Sequence, residues 1–179
     1  MVCSFFIPKK KGARKIATTG IWKIEKRLDN VIDYTTNIEK TINSDYGKDS
    51  YYDLHNVIDY VEADYKTEKQ FYVSGVNCNP KTALEEMTIT KEQYGKTGGI
   101  LGFHAFQSFA EGEVTPEQCH AIGVRLAEEM WGDRFEVVVS THLNTNHYHN
   151  HFVINSVSFK DGKRYYDKRE TYAELRRLS

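Results

Sequence analysis

Four of the seven histidines fall in one stretch, THLNTNHYHNHFVIN (141–155): His142, His147, His149 and His151. Neutral imidazole nitrogens are good ligands for a divalent cation, which holds them at about 2.0–2.2 Å. On an extended strand alternate side chains share a face. His147, His149 and His151 are therefore expected to point one way with Val153 and Asn155, while Tyr148, Asn150, Phe152 and Ile154 point the other. His142 ends the segment before the turn, which brings it back beside the others, so His142 and His147 compete as third ligand. The sequence has no HExxH motif, which excludes a helical zinc-protease site. The stretch has no Asp or Glu to complete a two-His, one-carboxylate iron site. An all-imidazole site with open positions remains, able to polarise a phosphoryl oxygen or to activate water.

A second chemistry is available from the 12 tyrosines. A phenol stacks on a base and its hydroxyl can serve as a nucleophile. The segment LDNVIDY (28–34) is nearly repeated as LHNVIDY (54–60), which makes Tyr34 and Tyr60 rival candidates. Two copies are too few for a solenoid.

These groups need elements to position them. IWKIEKRLDNVIDY (21–34) carries Ile24, Leu28 and Val31, followed by Thr35, at helical spacing, and predicts an amphipathic helix ending just past Tyr34. INSDYGKDSYYD reads as a polar loop. QFYVSGVN (70–77) predicts a strand and TALEEMTITKEQYGK (82–96) a helix. ILGFHAFQSF (100–109) predicts a strand with His104, Phe106 and Ser108 on one face. TPEQ (115–118) starts a helix: Thr115 caps, Pro116 sits in the first turn, and Gln118 completes a capping box. Cys119, Ile122, Leu126 and Met130 form that helix's apolar stripe. RFEVVVSTH (134–142) and HYHNHFVINSVSF (147–159) are strands joined by a short polar turn, hence a hairpin. ETYAELRRLS predicts a final helix. Irregular alternation of helices with hairpins, and no glycine-rich phosphate loop, imply an α+β fold with a central, mostly antiparallel β-sheet flanked by helices. Residues 1–179 read as a single domain, the N-terminal part of a longer protein.

Composition narrows the class. With 40% hydrophobic and 27% charged residues the chain is globular. Its net charge of −1 is not that of a strongly basic DNA-binding domain. KKKGARK (9–15) and KDGKRYYDKRE (160–170) are nevertheless local basic segments able to follow phosphates. Three well-separated cysteines argue against a disulfide framework and for a reducing, cytoplasmic compartment. No secretory signal and no membrane-length apolar run is present.

The motif HYHNHFVINSV, preceded by VVVSTHLNTN, resembles the metal-binding motif of conjugative and mobilisation relaxases. These are DNA nickases of the HUH endonuclease superfamily, and the likeness is to the branch with one catalytic tyrosine. The family pattern falls on His142, His149, His151 and Asn155. YTTNIEKT (34–41) resembles the nucleophile motif, and HAFQSFAEGEVTPEQCHAIG (104–123) the middle motif, whose Ser would be Ser108 with His104 nearby. The resemblance implies a bacterial, cytoplasmic enzyme with an HUH-endonuclease-like fold, a divalent ion (Mg or Mn), single-stranded transfer-origin DNA as substrate and accessory mobilisation proteins as possible partners. It implies attack by Tyr34 on a phosphodiester to give a 5′-phosphotyrosine. Tyr60 is the alternative nucleophile and His147 the additional ligand. Where many relatives carry Asp two residues after the first motif His, this chain has Asn144, so a carboxylate orienting a ligand His would come from elsewhere.

Three other readings use the same residues. A rolling-circle replication initiator of the same superfamily would differ in the origin it cuts. A metal-dependent small-molecule hydrolase or oxygenase would not need Tyr34. A non-enzymatic DNA-binding module would hold DNA without a covalent adduct.

Overall fold

The computed structural model describes residues 17–41 and 72–179. Tyr60, the repeated NVIDY, the 9–15 basic segment and the 42–53 loop lie outside the described residues. The elements run β1 (Thr18–Ile24), α1 (Leu28–Thr35), α2 (Ile38–Thr41), β2 (Val73–Val76), α3 (Ala83–Gln93), β3 (Gly102–Ser108), α4 (Pro116–Met130), β4 (Val137–His142), β5 (His149–Asn155) and α5 (Arg169–Leu178).

The five strands form one sheet in the order β1-β3-β5-β4-β2. Every neighbouring pair is antiparallel. The α+β class with an antiparallel sheet, expected from the sequence, is what the chain adopts. Strands β4 and β5 lie inside the sheet and are covered on both faces, which explains why VVVSTH and NHFVIN are buried almost throughout.

The two faces carry separate cores. One packs Phe103, Ala105, Val137, Val139, Phe152 and Ile154 against Leu126, Ala127 and Trp131 of α4 and its C-cap, and Leu175 of α5. On the other, Val138, Val153 and Ile24 meet Leu28 and Ile32 of α1 and Ala83 and Met87 of α3. The histidines stand on this second face, beyond the apolar residues at the end of β5 that holds His149.

Residues 21–34 differ from the helix expected of them. Ile24 and Leu28 do share one core, as the spacing suggested, but they reach it from two elements. Thr18–Ile24 pairs residue for residue with β3 as an edge strand, and only Leu28–Thr35 is helical. Arg27 separates the two in a left-handed conformation (φ 54°, ψ 62°). A β-branched, aromatic run such as TTGIWKI suits a pleated edge, and pairing with β3 satisfies its backbone.

The start of α4 and the β4–β5 hairpin form as expected, with β5 shorter than the 147–159 strand read from the sequence. Thr115 Oγ1 accepts from the Gln118 backbone N–H, and Gln118 Oε1 accepts from the Thr115 N–H, closing the capping box of α4. Of that helix's expected stripe, Cys119 and Leu126 are fully buried and Ile122 and Met130 half-buried. Among the described residues, no helix is long and apolar enough to cross a membrane.

Candidate metal centre and nuclease site

Register assembles the centre. In the β4–β5 hairpin His142 stands opposite His149, and Ser140 opposite His151. In the β3–β5 pair Ser108 stands opposite His149 and Phe106 opposite His151. One nitrogen from each of His142, His149 and His151 lies within 4.8 Å of the other two. The His142 and His151 ring centroids are 4.3 Å apart, and His149 lies 5.2 and 5.0 Å from them.

Each of the three rings has one nitrogen tied up and one to spare. His142 Nε2 donates to the Thr35 carbonyl at 2.9 Å. His149 Nδ1 donates to the His147 carbonyl at 2.9 Å. His151 Nδ1 lies 2.9 Å from His104 Nε2. The remaining His151 nitrogen, Nε2, is buried without a hydrogen-bond partner among the described residues. A buried polar atom left unpaired is rare and costly, and a cation among the three rings would satisfy it. Hydrogen bonds behind the three rings hold their orientation, as a metal centre would require.

Electrostatics favour the ligating form. Burial pushes His142 down to about 4, with His149 and Lys40 adding to the fall against the opposing Thr35 hydrogen bond. Burial, followed by the neighbouring His142, His104 and His149, lowers His151 to about 2. Both are neutral at ordinary pH, with a lone pair available to an ion.

Tyr34 overhangs this group. Its ring stands edge-on to His142 at 5.7 Å and to His151 at 6.0 Å, and the residue is 52% exposed. It is the penultimate residue of α1, whose last residue, Thr35, supplies the carbonyl that fixes His142. Lys40 of α2 lies over the Tyr34 ring, and its carbonyl accepts from the Leu143 N–H, joining α2 to the end of β4.

The remaining residues singled out from the sequence are distributed as follows. Ser108 is half-buried beside the cluster. His104 is buried next to His151. His147 is exposed in the turn and joins the site only through its carbonyl. Asn155 shares the cluster's face but lies four residues, roughly 13 Å, along β5. There it is fully buried, accepting from Lys91 Nζ and donating to Glu136 Oε2.

Two neighbours were not singled out from the sequence. Lys40 was part of the quoted YTTNIEKT, but nothing in spacing alone puts it over Tyr34. Trp22, 46% exposed, packs against His104 at 4.5 Å and Phe106 at 5.9 Å. Beside the hairpin turn a polar cleft of about 770 Å³ is lined by residues including Gln118, Asn144, Asn146 and Tyr148.

An antiparallel α+β domain with a three-imidazole centre under an exposed tyrosine is thus defined by geometry alone. The family model described as "Relaxase: MobA/VirD2-like, nuclease domain" matches residues 51–179, and the chain belongs to this family. It is an enzyme domain of the nuclease class, and the metal dependence of relaxases has its counterpart in the His142–His149–His151 group. The chain is 47% identical over 92 residues to a protein rlx of Staphylococcus aureus, covering 51% of this chain and 29% of that protein. A second S. aureus protein rlx is 40% identical over 106 residues, 59% of this chain and 32% of the relative. The group II intron-interrupted relaxase LtrB of Lactococcus lactis subsp. cremoris is 32% identical over 166 residues, 78% of this chain and 29% of the relative. The matches thus span about a third of the length of these curated relatives. No solved structure is a significant match.

Proposed function

We propose that this chain nicks one strand of transfer-origin DNA and holds the cut end covalently for later rejoining. The observation that carries the reading is the Tyr34 ring over three mutually adjacent imidazoles. His142, His149 and His151 are the ligands for a divalent ion, Mg or Mn. When bound, such an ion supplies Lewis-acid neutralisation of charge that develops on a phosphate oxygen.

The chain's own residues do the rest. The Tyr34 hydroxyl attacks phosphorus, forming an O–P bond and releasing its proton to solvent, to which the side chain is open. The P–O3′ bond breaks and the departing oxygen takes up a proton, leaving a 3′-hydroxyl and a 5′-phosphotyrosine. One phosphodiester replaces another, so the reverse attack reseals the strand. Lys40, whose ammonium lies over the Tyr34 ring, places a positive charge beside the attacking residue. Trp22 and Tyr148 offer stacking surfaces, and the cleft beside the turn offers amides for bases of a single strand. Accessory mobilisation proteins and a bacterial cytoplasmic setting are part of the same reading.

The test uses labelled single-stranded oligonucleotides tiling the transfer-origin region of the element that encodes the chain, with Mg²⁺ or Mn²⁺. The expected result is a protein–DNA band that survives SDS, with the modified residue mapped to Tyr34. Mapping to Tyr60 would move the nucleophile. Cleavage without an adduct, retained in Tyr34→Phe, would replace strand transfer by hydrolysis.

A further inference from the structure

His104 and His151 come from neighbouring strands, and their rings lie 5.0 Å apart and 34° from parallel. His104 Nε2 and His151 Nδ1 are 2.9 Å apart, a hydrogen bond between two buried rings. One proton therefore sits on the line between them, in one of two arrangements. If His104 donates it, His151 carries its own proton on Nε2, a buried N–H with no hydrogen-bond partner among the described residues. An orphaned buried donor costs about 1–3 kcal/mol. If His151 donates instead, its Nε2 is a bare lone pair in the company of His142 and His149, and a cation satisfies it.

Of the three ligand rings, His142 and His149 are anchored by backbone carbonyls. His151 is the one anchored by a side chain, and so the one whose anchor substitution can remove. His104 is itself held firmly: it is 7% exposed and flanked by the Trp22 ring at 4.5 Å.

We propose that His104 is a positioning residue that fixes His151 in the Nδ1-protonated tautomer, leaving His151 Nε2 as a metal ligand. This rests on the metal-centre reading given above and assigns the part of one further side chain in it.

The test has two readouts that need no DNA. Long-range ¹H–¹⁵N spectra of the metal-free wild type report which nitrogen of His151 carries the proton; Nδ1–H with an unprotonated Nε2 is expected. Calorimetric Mn²⁺ titration then compares wild type, His104→Phe and His104→Gln. Loss of an orienting partner of this kind lowers metal affinity roughly 10–100-fold. That fall is expected for His104→Phe, with most of it recovered in His104→Gln, whose side-chain oxygen can accept the same proton. A His151 protonated on Nε2 in a wild type that binds Mn²⁺, or equal affinity in wild type and a folded His104→Phe, would overturn the role of His104 and leave the metal centre standing. Should the wild type show the expected tautomer yet bind neither Mn²⁺ nor Mg²⁺, the metal centre itself falls, and the positioning role with it. The wild-type spectrum and the Gln variant decide the matter even if His104→Phe does not fold.

Discussion

The Lys40 ammonium lies 3.5 Å from the centroid of the Tyr34 ring, so a cation from α2 caps the aromatic face of the residue at the end of α1. A cation over a ring face is worth on the order of 1 kcal/mol and fixes where the ring sits. Lys40→Met is expected to slow adduct formation up to roughly fivefold, while Lys40→Arg keeps most of the rate. Mn²⁺ affinity should not fall in either variant, because neither changes a proposed ligand and the methionine removes a positive charge that bears on His142. Single-turnover adduct yields beside calorimetric titrations check this, and equal rates in wild type and Lys40→Met would remove Lys40 from the site.

Asn155 gives a different expectation from the one its motif suggests. Its side chain bridges Lys91 and Glu136, which are 4% and 3% exposed, and also donates to the Met87 carbonyl. Thr90 donates to the same Glu136 carboxylate. Asn155→Ala strips a buried ammonium and a buried carboxylate of a partner, at a cost of about 2–3 kcal/mol. Urea unfolding should show this loss, while the adduct rate per folded molecule stays at the wild-type value.

Gly123 sets the fit of α4 on the sheet. A β-carbon there would lie 2.5 Å from Asn150 Nδ2. Asn150 lies between His149 and His151 in the chain and bonds Gln107, Thr141 and the Cys119 carbonyl. Alanine in mid-helix gains about 1 kcal/mol over glycine. Overpacking at a filled site costs about 1–3 kcal/mol, and the displaced amide loses hydrogen bonds as well. The net expectation for Gly123→Ala is a lower denaturation midpoint.

His120 makes stability depend on pH away from the metal centre. Its ring nitrogens lie 2.7 Å from Ser74 Oγ and 2.8 Å from Thr141 Oγ1, and burial lowers its pKa from 6.5 to about 4. The unfolded chain takes up this proton below about 6.5, but the folded chain refuses it until about 4. The contribution is therefore complete above pH 6.5 and is lost as pH falls towards 4. Against His120→Gln, the chelator-treated wild type should lose on the order of 1 kcal/mol more per pH unit inside that window. Parallel curves for the two proteins from pH 7 to 4.5 would remove His120 as the source.

Local signals were readable in the sequence, and tertiary ones were not. Alternation placed His149 and His151 together, the polar turn returned His142, and the Thr115–Gln118 pair marked the start of α4. The choice between His142 and His147 was open, because strand pairing ends with His142 opposite His149 and leaves His147 in the turn. The break at Arg27 left no periodic trace, since Ile24 and Leu28 keep helical spacing while feeding one core from a strand and a helix. The His104–His151 contact follows from the β3–β5 register, which links segments far apart in the chain. Asn155 fell on the right face, but what lies above that end of the face is decided by α3.

The carbonyl next to Tyr34 in the chain is the one that steadies His142. Phenol and the anchor of the His142 ring thus sit on adjacent residues at the end of α1, and raising that end would withdraw the first and unmoor the second in one movement. On the proposed mechanism, a molecule in which the tyrosine has strayed would also be a poorer host for the ion, which would disfavour idle cutting by water when no residue waits to keep hold of the severed strand.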